Sequence, residues 1–595
     1  MDANTSSTIR RTAEHLEEDV KQKLDNWTNE LWKTWPNEAQ ASPLNHCHRY
    51  WPPLTALQFE KLEEHRGPIE LVVKGNIPAW AAGALYRTGP GESTVEGTSR
   101  GTHHITHWFD GTAHTHRFDI IASDEADKPT RVVYSSRRQS DGVVEDIKKH
   151  GWLTSTSFGQ RADPCIGVFA KVMSVFEPAR SNNNVAVIPD MPGFGGESEL
   201  VGAGGHRAGA GNLIAVTDSA FLQMLDPKTL EPIGSVVQSY LHPDLKGPIS
   251  CAHARRDPET GDLFNFNLEL GGRDPVYRIF RVKAATGDTD ILAAISGPKY
   301  RPAYIHSFFL TENYVILCLP SAHFGWAGLK VVWQKNFIDA IKPFDESQSC
   351  RWVVVDRKHG KGIVAEFSTP AKFFFHSVNA FDKLVEDEEG KKRVELCMDL
   401  AQYSNTDIMH TMYFDVLLDR NDAMRKTMID KEWYKTTQSY LVRYRFGFDP
   451  SGQTPEDAKT AVAEEVLSIP SPHSGDLPNI HPKLNGKPYR YVYSVCTRGL
   501  STFMDSIVKT DLHTREALIW SGPHAHSPGE AIFVPRPGAT GEDDGVILSL
   551  VLDGTAQRSY LLCLDAETME EVGRAEAGFA IAIGLHGSFQ AGGRL

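Results

Sequence analysis

Beyond about residue 65 the chain alternates short runs of aromatic and β-branched residues with polar turn segments, a pattern that predicts strands rather than helices. One turn recurs between such runs: LDPKTLEP (225 to 232), RDPETGDL (256 to 263), TDLHTREA (510 to 517) and LDAETMEE (564 to 571). An Asp followed three residues later by a Thr makes a sound hairpin connection, because both side chains can bond nearby backbone groups. Recurring hairpins suggest blades, although the period is irregular. The amino-terminal stretch differs. Leu16, Val20, Leu24, Trp27, Leu31 and Trp35 fall at three- and four-residue steps, which predicts one amphipathic helix over residues 8 to 35, closed by Pro36. We read residues 1–61 as a helical extension and 62–595 as the β domain. The apolar stripe is expected to pack on the main domain, with an interfacial membrane helix or a self-association surface as the alternatives. Two further stretches, 325 to 345 and 405 to 430, are helix-like.

Four of the β-like runs are each interrupted by one histidine: CAHARRDPETG at His253, AYIHSFFLTENYVI at His306, KFFFHSVNAFD at His376 and AIGLHGSF at His586. An unpaired polar ring is costly to bury, and a metal removes that cost by binding the ring nitrogen. Neutral imidazole suits iron, copper, zinc and nickel, so the ligand type leaves the metal open. The dense run His103, His104, His107, His114 and His116 is read as structural, as is the HAH at 524 to 526. Asp543 and Asp544 read as solvated loop acids. No P-loop, Rossmann fingerprint or HExxH is present, which removes the usual signals for the nucleotide-binding and zinc-hydrolase classes.

Composition narrows the partners. With 595 residues and 41% hydrophobic content the chain can bury a large core, and a net charge of −14 argues against nucleic acid and against charge-driven attachment to anionic lipid. Any membrane contact would have to be apolar. The eight cysteines are far apart with no CxxC, which predicts free buried thiols in a reducing compartment. No secretory signal and no apolar run of about 20 residues stands out, so the expectation is a cytoplasmic protein, with peripheral membrane association as an option.

The wording around the histidines resembles the carotenoid cleavage oxygenase family, close to its fungal members that act on carotenoids such as torulene. The match includes GNIPAWAAGALYRTGPG (75 to 91), HWFDGTAHTHRF (107 to 118), AVTDSAFLQMLDPKTLEPIG (215 to 234), SGDLPNI (474 to 480) and GEAIFVPRPGATGEDDGVILSLVLDG (529 to 554). The resemblance implies an all-β, seven-bladed β-propeller with a roof of helices and loops, for which 325 to 345 and 405 to 430 are the candidates. It implies that His253, His306, His376 and His586 hold a non-haem Fe(2+). It also implies three supporting carboxylates, Asp218 for His306, Asp476 for His376 and Glu530 for His586, with none for His253. Two of the three are aspartates where the family usually has glutamates, leaving open whether they touch the rings directly or through water. The implied reaction is cleavage of a carotenoid double bond by O2, with torulene favoured. The alternatives are a stilbene-cleaving dioxygenase of the resveratrol type, and a non-cleaving apocarotenoid isomerase or binding protein.

Overall fold

The Asp-x-x-Thr turns are what cut the chain into blades. In the computed structural model, the Asp226 carboxylate accepts the amides of Lys228 and Thr229, and Thr229 Oγ1 accepts the amide of Glu231. Asp257, Asp511 and Asp565 do the same for residues two and three positions on. The residue after each Thr (Leu230, Gly261, Arg515, Met569) adopts positive φ, reversing the chain into the next strand. The structure describes residues 62–592 apart from 124–128, 162–179, 181, 196–208, 271–273, 387–389, 391, 425, 427–430, 451–460, 499–502 and 524. The helical extension expected over 1–61 lies outside the described residues, as does His524.

The result is an all-β propeller. Five four-stranded antiparallel sheets follow one another in chain order, each a simple meander. They start at strands Ala186–Pro189, Arg255–Arg256, Phe309–Leu310, Phe373–Glu386 and Asp476–Asn479. The separate blades therefore number five, where seven were expected. The difference comes from strand Ile69–Gly75. Its first half pairs with Arg131–Arg138 and its second half with Glu571–Glu576, so the two ends of the chain merge into one ten-stranded sheet. The last strand, His586–Ala591, closes the sheet by pairing with Gly83–Pro90.

Strands near the middle are buried on both faces. Trp352 and Val353 to Val355 are each at most 1% exposed, so these runs read as continuously apolar rather than alternating. The largest core cluster gathers residues from many blades, including Trp108, Phe266, Tyr304, Phe373, Met412 and Leu585. The two helix-like stretches form short pieces rather than long helices: Trp326–Gly328, Leu329–Gln334 and Phe337–Ala340 in one, and Ile408–Thr411, Phe414–Leu417 and Arg420–Asp422 in the other. They are tied to the β domain by bridges Ser157↔Asn336 and His107↔Tyr413. The six described cysteines are free and buried.

Candidate metal centre

Each of the four strand-interrupting histidines sits at or beside the first strand of a blade, or on the closing strand. His253 precedes Arg255–Arg256, His306 precedes Phe309–Leu310, His376 lies within Phe373–Glu386, and His586 begins His586–Ala591. Radial strands thus deliver residues from positions 53, 70 and 210 apart to one place. One ligand atom from each of the four lies within 4.8 Å of the others, and among the described residues this is the group of that kind.

The outer nitrogens are held. His306 Nδ1 donates to Asp218 Oδ2 at 2.8 Å, His376 Nδ1 to Asp476 Oδ1 at 2.7 Å, and His586 Nδ1 to Glu530 Oε1 at 3.0 Å. Both shorter aspartates therefore reach their rings directly; at Asp476 the backbone comes close, since a Cβ on the preceding Gly475 would collide with Val495 O. Donation from Nδ1 fixes the tautomer and leaves Nε2 with its lone pair turned inward. Burial pulls His376 down to about 4 against the pull of Asp476, and burial followed by the three neighbouring imidazoles pushes His253 well below its ordinary value. Burial opposes ionisation of Asp476 and Glu530, but the facing imidazoles, with Tyr403 on the one and Arg87 on the other, hold both below the usual carboxylate value.

This donor set fits a cation. His253 Nε2 stands 3.1 Å from His306 Nε2, and His376 Nε2 3.1 Å from His586 Nε2. With Nδ1–H committed to a carboxylate in three of the rings, His376 and His586 turn two lone pairs on each other, a repulsion that a shared metal ion converts into coordination.

Two hydroxyls escaped the sequence reading. Tyr304 donates to Asp218 Oδ2 at 2.7 Å and Tyr403 to Asp476 Oδ2 at 2.6 Å. Tyr304 had a local signal, since it stands two residues before His306 and so on the same side of an extended chain. Tyr403, 73 residues from Asp476, had none.

His306, His376 and His586 line a cavity of about 290 Å³, together with Trp108, Phe109, Phe158, Phe375, Met412 and Leu477. A smaller cavity of about 80 Å³ adjoins it across Tyr403, Ile408, Met412, Asp476 and Met504. The dense histidine run takes no part: His107 bonds Met409 O through Nε2 at 2.9 Å, and His116 bonds the Tyr134 hydroxyl at 2.8 Å. Asp543 pairs with Lys509 and Asp544 with Arg536.

The family described as retinal pigment epithelial membrane protein matches residues 59–591. The chain is 54% identical to a torulene dioxygenase of Gibberella fujikuroi over 99% of both chains. It is 45% identical to a carotenoid dioxygenase of Neurospora crassa, over 99% of this chain and 96% of that one. At 28% identity it is similar to the beta,beta-carotene 15,15'-dioxygenase of Mus musculus, over 89% and 90% of the two chains. Among solved structures, a cobalt-substituted Synechocystis apocarotenoid oxygenase superposes with a TM-score of 0.65 at 22% identity, covering 90% of this chain and 99% of the other.

Proposed function

The chain belongs to the retinal pigment epithelial membrane protein family, and from that premise we propose that it is an Fe(II)-dependent dioxygenase that cleaves a double bond of a carotenoid, torulene being the favoured substrate. The observation that carries this reading is the set of four converging imidazole nitrogens, three of whose rings line an apolar cavity. His253, His306, His376 and His586 would hold the iron, and Asp218, Asp476 and Glu530 would orient three of them. Ferrous iron, when bound, supplies the activation of O2 needed to turn one carbon–carbon double bond into two carbonyl groups, each product taking one oxygen atom.

The chain's own residues do the rest. Four neutral ligands would leave a bound ion its full charge. The aromatic walls hold an apolar polyene and exclude water. No side chain is required to shuttle a proton, since the net reaction moves none. The names of the relatives favour a carotenoid over a stilbene, and dioxygenase chemistry over isomerisation or mere binding.

Peripheral contact with a lipid surface is the further part of this reading. Among the described residues no helix is long and apolar enough to cross a membrane. Leu329, Val332 and Trp333, at helical i, i+3 and i+4, are 51%, 47% and 46% exposed, and Trp326 is 61% exposed. Val331, Val332 and Phe337 line the cavity, so this apolar lip stands at its mouth. Trp326→Ser with Trp333→Ser should lower flotation with phosphatidylcholine vesicles.

The decisive experiment incubates iron-loaded protein separately with torulene, β-carotene and resveratrol, follows oxygen uptake and identifies aldehydes by mass spectrometry. Apocarotenals with oxygen uptake are expected, and lost in His306→Ala. Aromatic aldehydes from resveratrol alone, or polyene conversion without oxygen uptake, would overturn the reading.

A further inference from the structure

The three carboxylates behind the imidazoles are not equivalently surrounded. Both oxygens of Asp218 are used: Oδ2 accepts from His306 Nδ1 and the Tyr304 hydroxyl, and Oδ1 accepts the Ala252 amide at 3.1 Å. Asp476 offers a similar arrangement on another blade, with His376 Nδ1 and the Leu477 amide on Oδ1 and the Tyr403 hydroxyl on Oδ2. Glu530, the one long carboxylate, has no tyrosine. It accepts His586 Nδ1 and the Gly587 amide, and the fully buried Arg87 guanidinium lies beside it, donating to Glu530 O and Gly584 O. A phenol thus accompanies each aspartate, and a cation accompanies the glutamate. Both phenols are buried, and a hydroxyl facing a carboxylate oxygen can only donate to it, so both are donors.

We infer that Tyr304 and Tyr403 are positioning residues: they clamp the two short carboxylates against His306 and His376 and, by sharing the carboxylate charge, restrain how far those rings become imidazolate-like. This rests on the metal reading above. An ionised carboxylate behind an imidazole raises its basicity and its electron donation to a bound metal. A hydrogen bond from a phenol takes up part of that charge. Less donation favours iron(II) over iron(III), the state an oxygen-using site must keep at rest. The tyrosines would then set the potential of the centre without touching the metal.

The test uses the full chain freed of metal and reloaded with Fe(II) or Co(II), in Tyr304→Phe, Tyr403→Phe and the double variant. Tyr493→Phe is the control, since it removes a buried hydroxyl whose partner, Ala566 O, is away from the site. Each variant should show a lower Fe(III)/Fe(II) midpoint potential and faster loss of ferrous iron in air. The two shifts should add in the double variant. The control should match the parent in potential and affinity. Placing 3-fluorotyrosine at 403 strengthens the donor without changing its shape and should raise the potential, which keeps the test open if a phenylalanine variant does not fold. Potentials unchanged in all of these would overturn the inference while leaving the metal reading standing. A parent protein that binds neither metal would instead overturn the metal reading.

Discussion

At the scale of single residues, the supporting carboxylates and the buried histidines make separable predictions. Glu530→Gln keeps the size of the side chain but replaces its charge, so it should lower iron affinity by about 10- to 100-fold, measured by chelator competition. The buried histidines outside the centre give a pH signature. Burial pushes His107 and His114 down to about 3, so in the folded protein both stay neutral while the unfolded chain takes up protons below about 6.5. Each therefore contributes stability at neutral pH that is lost as pH falls from about 6.5 towards 3. Asp110 works in the opposite sense. Burial raises it to about 6, so the folded state binds its proton first and gains between about pH 6 and 4. With two histidines against one aspartate, the melting temperature should fall between pH 7 and 5. His107→Gln, whose amide can still donate to Met409 O but cannot be protonated, should flatten that slope, and an unchanged slope would count against His107 as a source.

At the scale of elements, the site depends on how closely strands approach. Gly475 leads into strand Asp476–Asn479, and a Cβ there would collide with the Val495 backbone, so Gly475→Ala must push Asp476 off its place opposite Val495. We expect a loss of about 1–3 kcal/mol in stability, with a drop in Co(II) affinity that the isosteric Tyr493→Phe does not show. Equal affinities would mean that Asp476 tolerates the shift. Much of this level was legible from the residues. The hairpins were, because Asp226 or Asp565 bonds amides only two and three positions away, an interaction that the local sequence contains in full. The four histidines were, because each breaks an apolar run where a bare imidazole is costly. Two things were not. Tyr403 meets Asp476 across 73 positions with nothing nearby to mark it. The merging of the chain ends depends on which edge of Ile69–Gly75 finds which partner, and an edge partnership has no local signature. The helix-like stretches carried the right apolar content but not their length, since Ala327 and Asn421 take positive φ and break them.

At the scale of the whole molecule, the centre and the closure of the ring coincide. Three of the proposed ligands arrive on successive blades, and the fourth, His586, opens the strand that pairs with Gly83–Pro90 and is itself opposite Thr88. No unfolded chain holds four such imidazoles together, so the free energy of metal binding adds to that of folding. At a free metal concentration 100 times the dissociation constant the gain is about 2.7 kcal/mol, growing with the logarithm of concentration. Chelation should therefore lower the melting temperature, and readdition of Fe(II) should restore it in the parent but not in His586→Ala. The location of the gain gives a sharper check. If the metal ties the last strand to the ring, amide exchange in His586–Ala591 and Gly83–Pro90 should slow on metal addition more than in Val276–Val282, which lies inside a blade and is paired on both sides whether or not metal is present. Equal slowing in all three would mean that the ion stabilises the propeller as one body rather than at its seam.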